Sequence, residues 1–238
     1  MNENPDLTNF NDIIKKGSPE TGKFSRHLIE GVSPIMTRLG THEELGILRE
    51  DSYLKAHLVK YNNDKENREK EFFRTENARC VISKIDNLNK FSLDFYRCTG
   101  LVVAGIEKGA GKNISFLSHQ DPNFFLYDQK SDFESYLVKS LTEIKERCIP
   151  GTIDAVVAGG TYPPDFPEDQ KNYIDSIHLL SNLVQQSLGF EPIIVNGPKK
   201  SALRVDNMFY NTEERRLTLI RPNVNSDIGS FTASDMEK

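Results

Sequence analysis

The sequence predicts an α+β protein: a twisted, mainly antiparallel β-sheet or sandwich with two covering helices, preceded by an N-terminal helical extension. Three observations predict it. Short apolar runs rich in β-branched residues recur at 80–85 (CVISKI), 99–107 (TGLVVAGIE), 113–119 (NISFLSH) and 153–158 (IDAVVA). Two segments, starting near Ser131 and Glu168, repeat apolar residues at helical spacing. The order helices, then β, β, β, α, β, α, β, β, β is dominated by strands, so the helices must cover one sheet face rather than alternate with every strand.

Each element has its own signal. Residues 1–30 read as a loose arm with one short helix at 7–16. Residues 41–75 read as helical: Thr41 with Glu44 fits a capping box, and Leu45, Leu48, Leu54 and Leu58 form an apolar stripe. The charged run from Tyr61 to Arg74 then reads as a solvated helix face. Two apolar strands flank Lys108-Gly109-Ala110-Gly111-Lys112, which makes 99–119 a hairpin. Ser131 and Glu134 form a second capping box, and Phe133, Leu137, Leu141 and Ile144 share one helix face, ending before Pro150-Gly151. Residues 153–158 are a buried strand closed by Gly159-Gly160, and 163–167 (PPDFP) is a stiff loop. The helix 168–188 places Ile174, Ile177, Leu180, Leu183, Val184 and Leu188 on its apolar side, with Gly189 as its stop. Strands follow at 192–196, 203–210 and 215–220, the last two joined by a turn at 211–214. The organisation is thus an arm and helical extension at 1–75, an α+β domain at 76–222 and a polar tail at 223–238.

Composition excludes several classes. The 238 residues carry 30 Lys and Arg against 35 Asp and Glu, a net charge of −5. That disfavours a basic nucleic-acid binder, which neutralises phosphates with excess cations. Three cysteines without a C-x-x-C pair fit neither a disulfide framework nor the usual structural zinc spacing. The expectation is therefore no cofactor and no metal. The start shows no cationic segment leading into an apolar one, and no apolar run is long enough for a membrane span. A cytoplasmic protein, or an effector exported without a Sec signal, is expected.

Gly109-Ala110-Gly111-Lys112 is not a phosphate loop. Asn113 stands where the magnesium-binding hydroxyl belongs, and a strand follows instead of a helix. More informative are Cys98 and His119. Cys98 lies at the entry of one hairpin strand and His119 at the exit of the next, so antiparallel pairing brings them near each other. A thiol beside an imidazole can become a nucleophile, and the imidazole needs an orienting acceptor, for which Ser92 is placed. The plainer alternative is a buried Cys98 that only packs and a His119 that caps a strand.

From Ser92 to Ile220 the sequence resembles the chemoreceptor glutamine deamidases of bacterial chemotaxis and, more remotely, the catalytic domains of cytotoxic necrotizing factor-type toxins. The resemblance lies in the order of elements. Cys98-Thr99-Gly100-Leu101-Val102-Val103-Ala104 leads through a Gly-containing turn to the strand ending at His119. The buried strand with Gly159-Gly160, a long helix, the Gly189 stop and a closing hairpin follow. It implies a cysteine-dependent protein glutamine deamidase: Cys98 as nucleophile, His119 as base and acid, Ser92 holding the ring in place of the family's Thr, and backbone N–H groups near Cys98 binding the oxyanion. The implied partner is a protein bearing a surface glutamine. The family's small residues before the cysteine are replaced by Tyr96-Arg97. Those bulky residues leave open a second reading, a catalytically idle relative that binds protein. A third, a metal-dependent hydrolase, would need ligands converging from His27, His42, His57 or His178.

Overall fold

Side chains alternate across a strand, so a strand packed on both faces needs two apolar sets. The central strands have both. Leu101, Val103, Phe116 and Val157 point one way, and Val102, Ala104, Leu117 and Val156 the other. The structure is a computed structural model describing residues 28–42, 44, 56–59, 73–74, 80–92, 95–127, 130–163, 165–199 and 204–222.

The chain runs β1 (Met36–Thr41), β2 (Ala56–Val59), β3 (Phe73–Arg74), β4 (Cys80–Ile82), β5 (Asn89–Ser92), β6 (Thr99–Ile106), β7 (Asn113–Gln120), α1 (Pro122–Phe125), α2 (Lys130–Arg147), β8 (Asp154–Gly159), α3 (Pro167–Leu188), β9 (Ile193–Val195), β10 (Asn207–Asn211) and β11 (Arg216–Arg221). One sheet has the order β1-β11-β10-β5-β2, the other β3-β4-β7-β6-β8-β9. Pairing is antiparallel except at β1–β11, β2–β5 and β8–β9, each at a sheet edge. The expected α+β class with two covering helices is the observed one.

The layers follow from the two faces. One core joins the outer face of the β6-centred sheet to Phe133, Leu137, Leu141 and Ile144 of α2 and to Tyr173, Ile177, Leu180 and Val184 of α3. A second core lies between the sheets, with Val102, Leu117, Val156 and Ala158 against Met208, Tyr210, Leu217 and Leu219. Each such side chain, taken fully out of water, contributes about 1.5–3 kcal/mol. A small third cluster, Phe91, Phe209 and Ile220, lies on the far face of the β10-centred sheet.

Local stops act as the sequence predicts. Gly189 sits at φ 85° and its N–H donates to Gln185 O at 2.9 Å, which ends α3. Gly109 and Gly111 have φ of 77° and 64°, and Glu107 N–H donates to Lys112 O at 2.8 Å across the hairpin tip.

The helical reading of 41–75 holds at His42 and Glu44, which are helical, and needs correction further along. Glu44 N–H does donate to Thr41 Oγ1 at 3.3 Å, but the Glu44 carboxylate pairs with Arg38 at 2.5 Å instead of completing a capping box. The described residues beyond are strands: 56–59 pairs with β5 and 73–74 with β4. Unsatisfied sheet edges offer backbone partners, and these outweigh a weak leucine stripe. The helix expected at 7–16, the charged stretch 61–72 and the tail 223–238 lie outside the described residues.

Three loops press on each other near the start of β6. A Cβ on Gly160 would stand 2.4 Å from Tyr96 O and 2.5 Å from Phe95 O. Gly160→Ala is expected to cost about 3 kcal/mol, because backbone atoms cannot yield as a side chain would. Urea unfolding should show a lower midpoint with an unchanged slope.

Candidate functional site

Ser92, Cys98 and His119 come from different parts of the sandwich. His119 is on β7, opposite Gly100 of β6. Cys98 immediately precedes β6, and Thr99 pairs with Gln120. Cys98, Gly100 and Val102 alternate onto one face, and Cys98 belongs to the inter-sheet core with Phe95, Val102, Leu117 and Met208. His119 shares that face with Leu117. Diagonal same-face neighbours across an antiparallel pair sit roughly 7 Å apart, within reach of an imidazole. Gly100, between them, has no side chain to intervene. A Cβ there would meet Ser118 O at 2.7 Å and Met208 Cε at 2.8 Å.

Ser92 belongs to the other sheet, where it ends β5 opposite Met208. Its Oγ lies 2.7 Å from His119 Nδ1, fully buried. The sandwich thus brings serine and histidine together across the gap between its sheets. If the Nδ1 proton is donated to Ser92 Oγ, Nε2 carries the lone pair a base needs. Phe95 lies beside the ring, edge-on, with centroids 5.0 Å apart and planes at 61°.

Burial controls the chemistry. Desolvation pushes the His119 pKa down to about 3, so its ring is neutral near pH 7. A resting thiolate–imidazolium pair is therefore disfavoured, and the neutral ring is a weak base unless its protonated form is stabilised. Cys98 is 8% exposed, whereas Cys80 and Cys148 are fully buried. Burial holds the Cys148 thiol up at about 11, so that residue only packs.

The turn before Cys98 is tightly committed. Cys98 N–H donates to Phe95 O at 2.8 Å, and Gly160 N–H donates to Cys98 O at 3.0 Å. These are two backbone donors next to the thiol, and both are already engaged. Outside the turn, Arg97 pairs with Asp169 at 2.7 Å and lies over the rings of Tyr96 and Phe166, at 5.5 and 5.0 Å. Arg204 lies 4.8 Å from the Tyr96 ring and pairs with Asp206 at 2.7 Å. Tyr96 and Phe166 are 36% and 53% exposed, so the site's rim is aromatic and cationic.

Sequence reading passed over Lys90, Phe95 and Asp169. Lys90 is fully buried on the same strand face as Ser92, and its ammonium is held by Asp86 and by Leu88 O at 2.8 Å. Burial lowers its pKa, and Asp86 opposes that shift. This anchors the entry to β5. Asp169 accepts from Arg97 and, through its other oxygen, from Asn123 at 3.0 Å. The first-turn acid of a Pro-led helix was the available signal for Asp169. Among the described residues no group of three or more His, Cys, Asp or Glu could hold a metal ion. His42 pairs instead with Asp206, and His178 lies on α3.

No protein-family model matches the chain, and no curated protein matches it.

Acid should weaken this site's contribution to folding. The folded ring takes a proton only near pH 3, whereas an unfolded histidine does so near 6.5. Above 6.5 both states are neutral and stability is flat. Below it the unfolded chain binds the extra proton, so stability falls by up to about 1.4 kcal/mol per pH unit until the native ring titrates. His119→Gln should flatten that slope between about pH 6.5 and 5, in denaturant titrations at successive pH values.

Proposed function

We propose that the protein is a cysteine-dependent deamidase of protein glutamine side chains. The observation that carries the reading is the buried 2.7 Å contact between Ser92 Oγ and His119 Nδ1 on the face that Cys98 shares. A hydroxyl that fixes one ring nitrogen turns the other toward its own task, which is the arrangement an imidazole base needs. The order of elements from Ser92 to Ile220, resembling the chemoreceptor deamidases, adds to it.

In this reading His119 Nε2 takes the Cys98 thiol proton as sulfur attacks the carboxamide carbon. The C–S bond forms and the carbonyl becomes an oxyanion. The imidazolium then returns its proton to the departing nitrogen, the C–N bond breaks and ammonia leaves. Water, deprotonated by the same ring, attacks the thioester and yields glutamate with the thiol restored. A ring whose protonated form is desolvated returns its proton readily but takes it up at a cost, so in this reading the oxyanion formed in the first step must help hold the imidazolium.

A second reading, an idle relative that binds protein, is favoured by the turn itself. Cys98 N–H can serve an oxyanion only by releasing Phe95 O, and bulky Tyr96 and Arg97 immediately precede the thiol.

The readings separate by experiment. With a chemoreceptor cytoplasmic domain, the substrate class the resemblance implies, the deamidase reading expects ammonia release that Cys98→Ala abolishes. Ser92→Ala should lower it by about 10²-fold with little change in KM. No release, together with complex formation that survives Cys98→Ala, would favour the binding module.

Iodoacetamide should label Cys98 ahead of Cys80 and Cys148. Exposure alone would give that order. An imidazole-assisted thiol must in addition react faster at pH 7 than the same thiol in His119→Gln. Equal rates in the two proteins would count against the enzyme.

A further inference from the structure

We propose that Phe95 is the positioning residue of the Cys98–His119 pair, acting on both partners at once. This deepens the deamidase reading and rests on it. The Phe95 carbonyl accepts the Cys98 N–H at 2.8 Å, which fixes the backbone that carries the thiol. Its ring meets the His119 ring at 5.0 Å, edge-on, which limits how the imidazole can tilt. Phe95 thus meets one partner through its backbone and the other through its ring.

Phe95 is itself held from several directions. Its N–H donates to Asp206 O at 2.6 Å, its side chain is fully buried, and its carbonyl lies against Gly160. The ring occupies space that Gly100 leaves open: a Cβ on Gly100 would stand 3.1 Å from Phe95 Cε2. Ser92 therefore fixes the ring of His119 at one nitrogen, and Phe95 fixes its plane. The residues paired with His119 across the sheet are uncharged, Val81 on β4 and Gly100 on β6. Lys90, the charged group on the Ser92 strand face, is engaged by Asp86 and Leu88. Cys98 is the titratable neighbour from the turn.

The arrangement assigns Phe95 two effects that a residue serving only stability would lack. It orients the imidazole, and it keeps water from the ring. The decisive experiment measures the wild type and two folded variants, Phe95→Leu and Phe95→Met, the second filling volume without a ring. In the wild type, NMR cross-relaxation between the ring protons of Phe95 and His119 is expected. In the variants the His119 titration should rise by about one pH unit or more as water enters. The His119-dependent part of the Cys98 alkylation rate at pH 7 should fall, because the ring is no longer held at one angle. Absence of the wild-type cross-relaxation would overturn the proposal without any variant. So would a folded variant that leaves both the His119 titration and the Cys98 alkylation rate where they were. Missing ammonia release with Phe95-dependent titrations intact would sink the deamidase reading alone. Ammonia release persisting in Phe95→Leu at the wild-type rate and pH profile would sink this proposal alone.

Discussion

Between the two sheets, in a layer lined largely by apolar side chains such as Val102, Leu117 and Met208, a serine hydroxyl meets an imidazole. A hydroxyl or ring nitrogen left there without a partner would cost about 1–3 kcal/mol. The Ser92–His119 contact removes that penalty for both groups, and it does so only when the sheets are in register. The contact therefore ties the site to the sandwich: a shift of either sheet that separated the pair would strand polar atoms in hydrocarbon. The same burial that makes the contact necessary keeps His119 neutral, so architecture and protonation state have one cause.

The surroundings show how the chain makes room for that contact. A side chain at Gly160 would collide with the backbone of the turn 95–98, and one at Gly100 with Ser118 O and Met208, so backbone packs closely around the thiol's strand. One bond closes the turn, from Cys98 N–H to Phe95 O, and two tie it to its surroundings, from Phe95 N–H to Asp206 O and from Gly160 N–H to Cys98 O. Its outward side chains, Tyr96 and Arg97, are held by half-exposed ion pairs and ring contacts, which are individually weak. A stiff backbone under loosely held side chains suits a site that must keep its nucleophile fixed while its mouth changes. It also suits a surface that grips another protein.

Much of the fold was legible where one physical signal acted alone. Phe133, Leu137, Leu141 and Ile144 share a helix face in the sequence and are the buried residues of α2. The β6–β7 hairpin follows from two apolar strands around a glycine-rich tip, and chain direction alone puts Cys98 near His119. Strand β5 was not legible, because its pattern is inverted. Lys90 and Ser92 face the inter-sheet layer, while Phe91 points to the far side with Phe209. A hydropathy alternation reads such a strand backwards or not at all. Strand β1 pairs in parallel with β11 at the far end of the chain, and no local pattern announces such a partner.

The sequence by itself determined the amphipathic helices, the hairpin and its stops, because neighbouring residues along the chain carry those signals. It also determined which residues were chemically able to act. Only the tertiary structure decided that Ser92 reaches His119 from the opposite sheet, that Phe95 stands beside both partners, and that Arg97 is clasped by Asp169. Those contacts join residues far apart in sequence, and their partners are selected by how whole layers pack. That selection is cooperative, and no local pattern of residues encodes it.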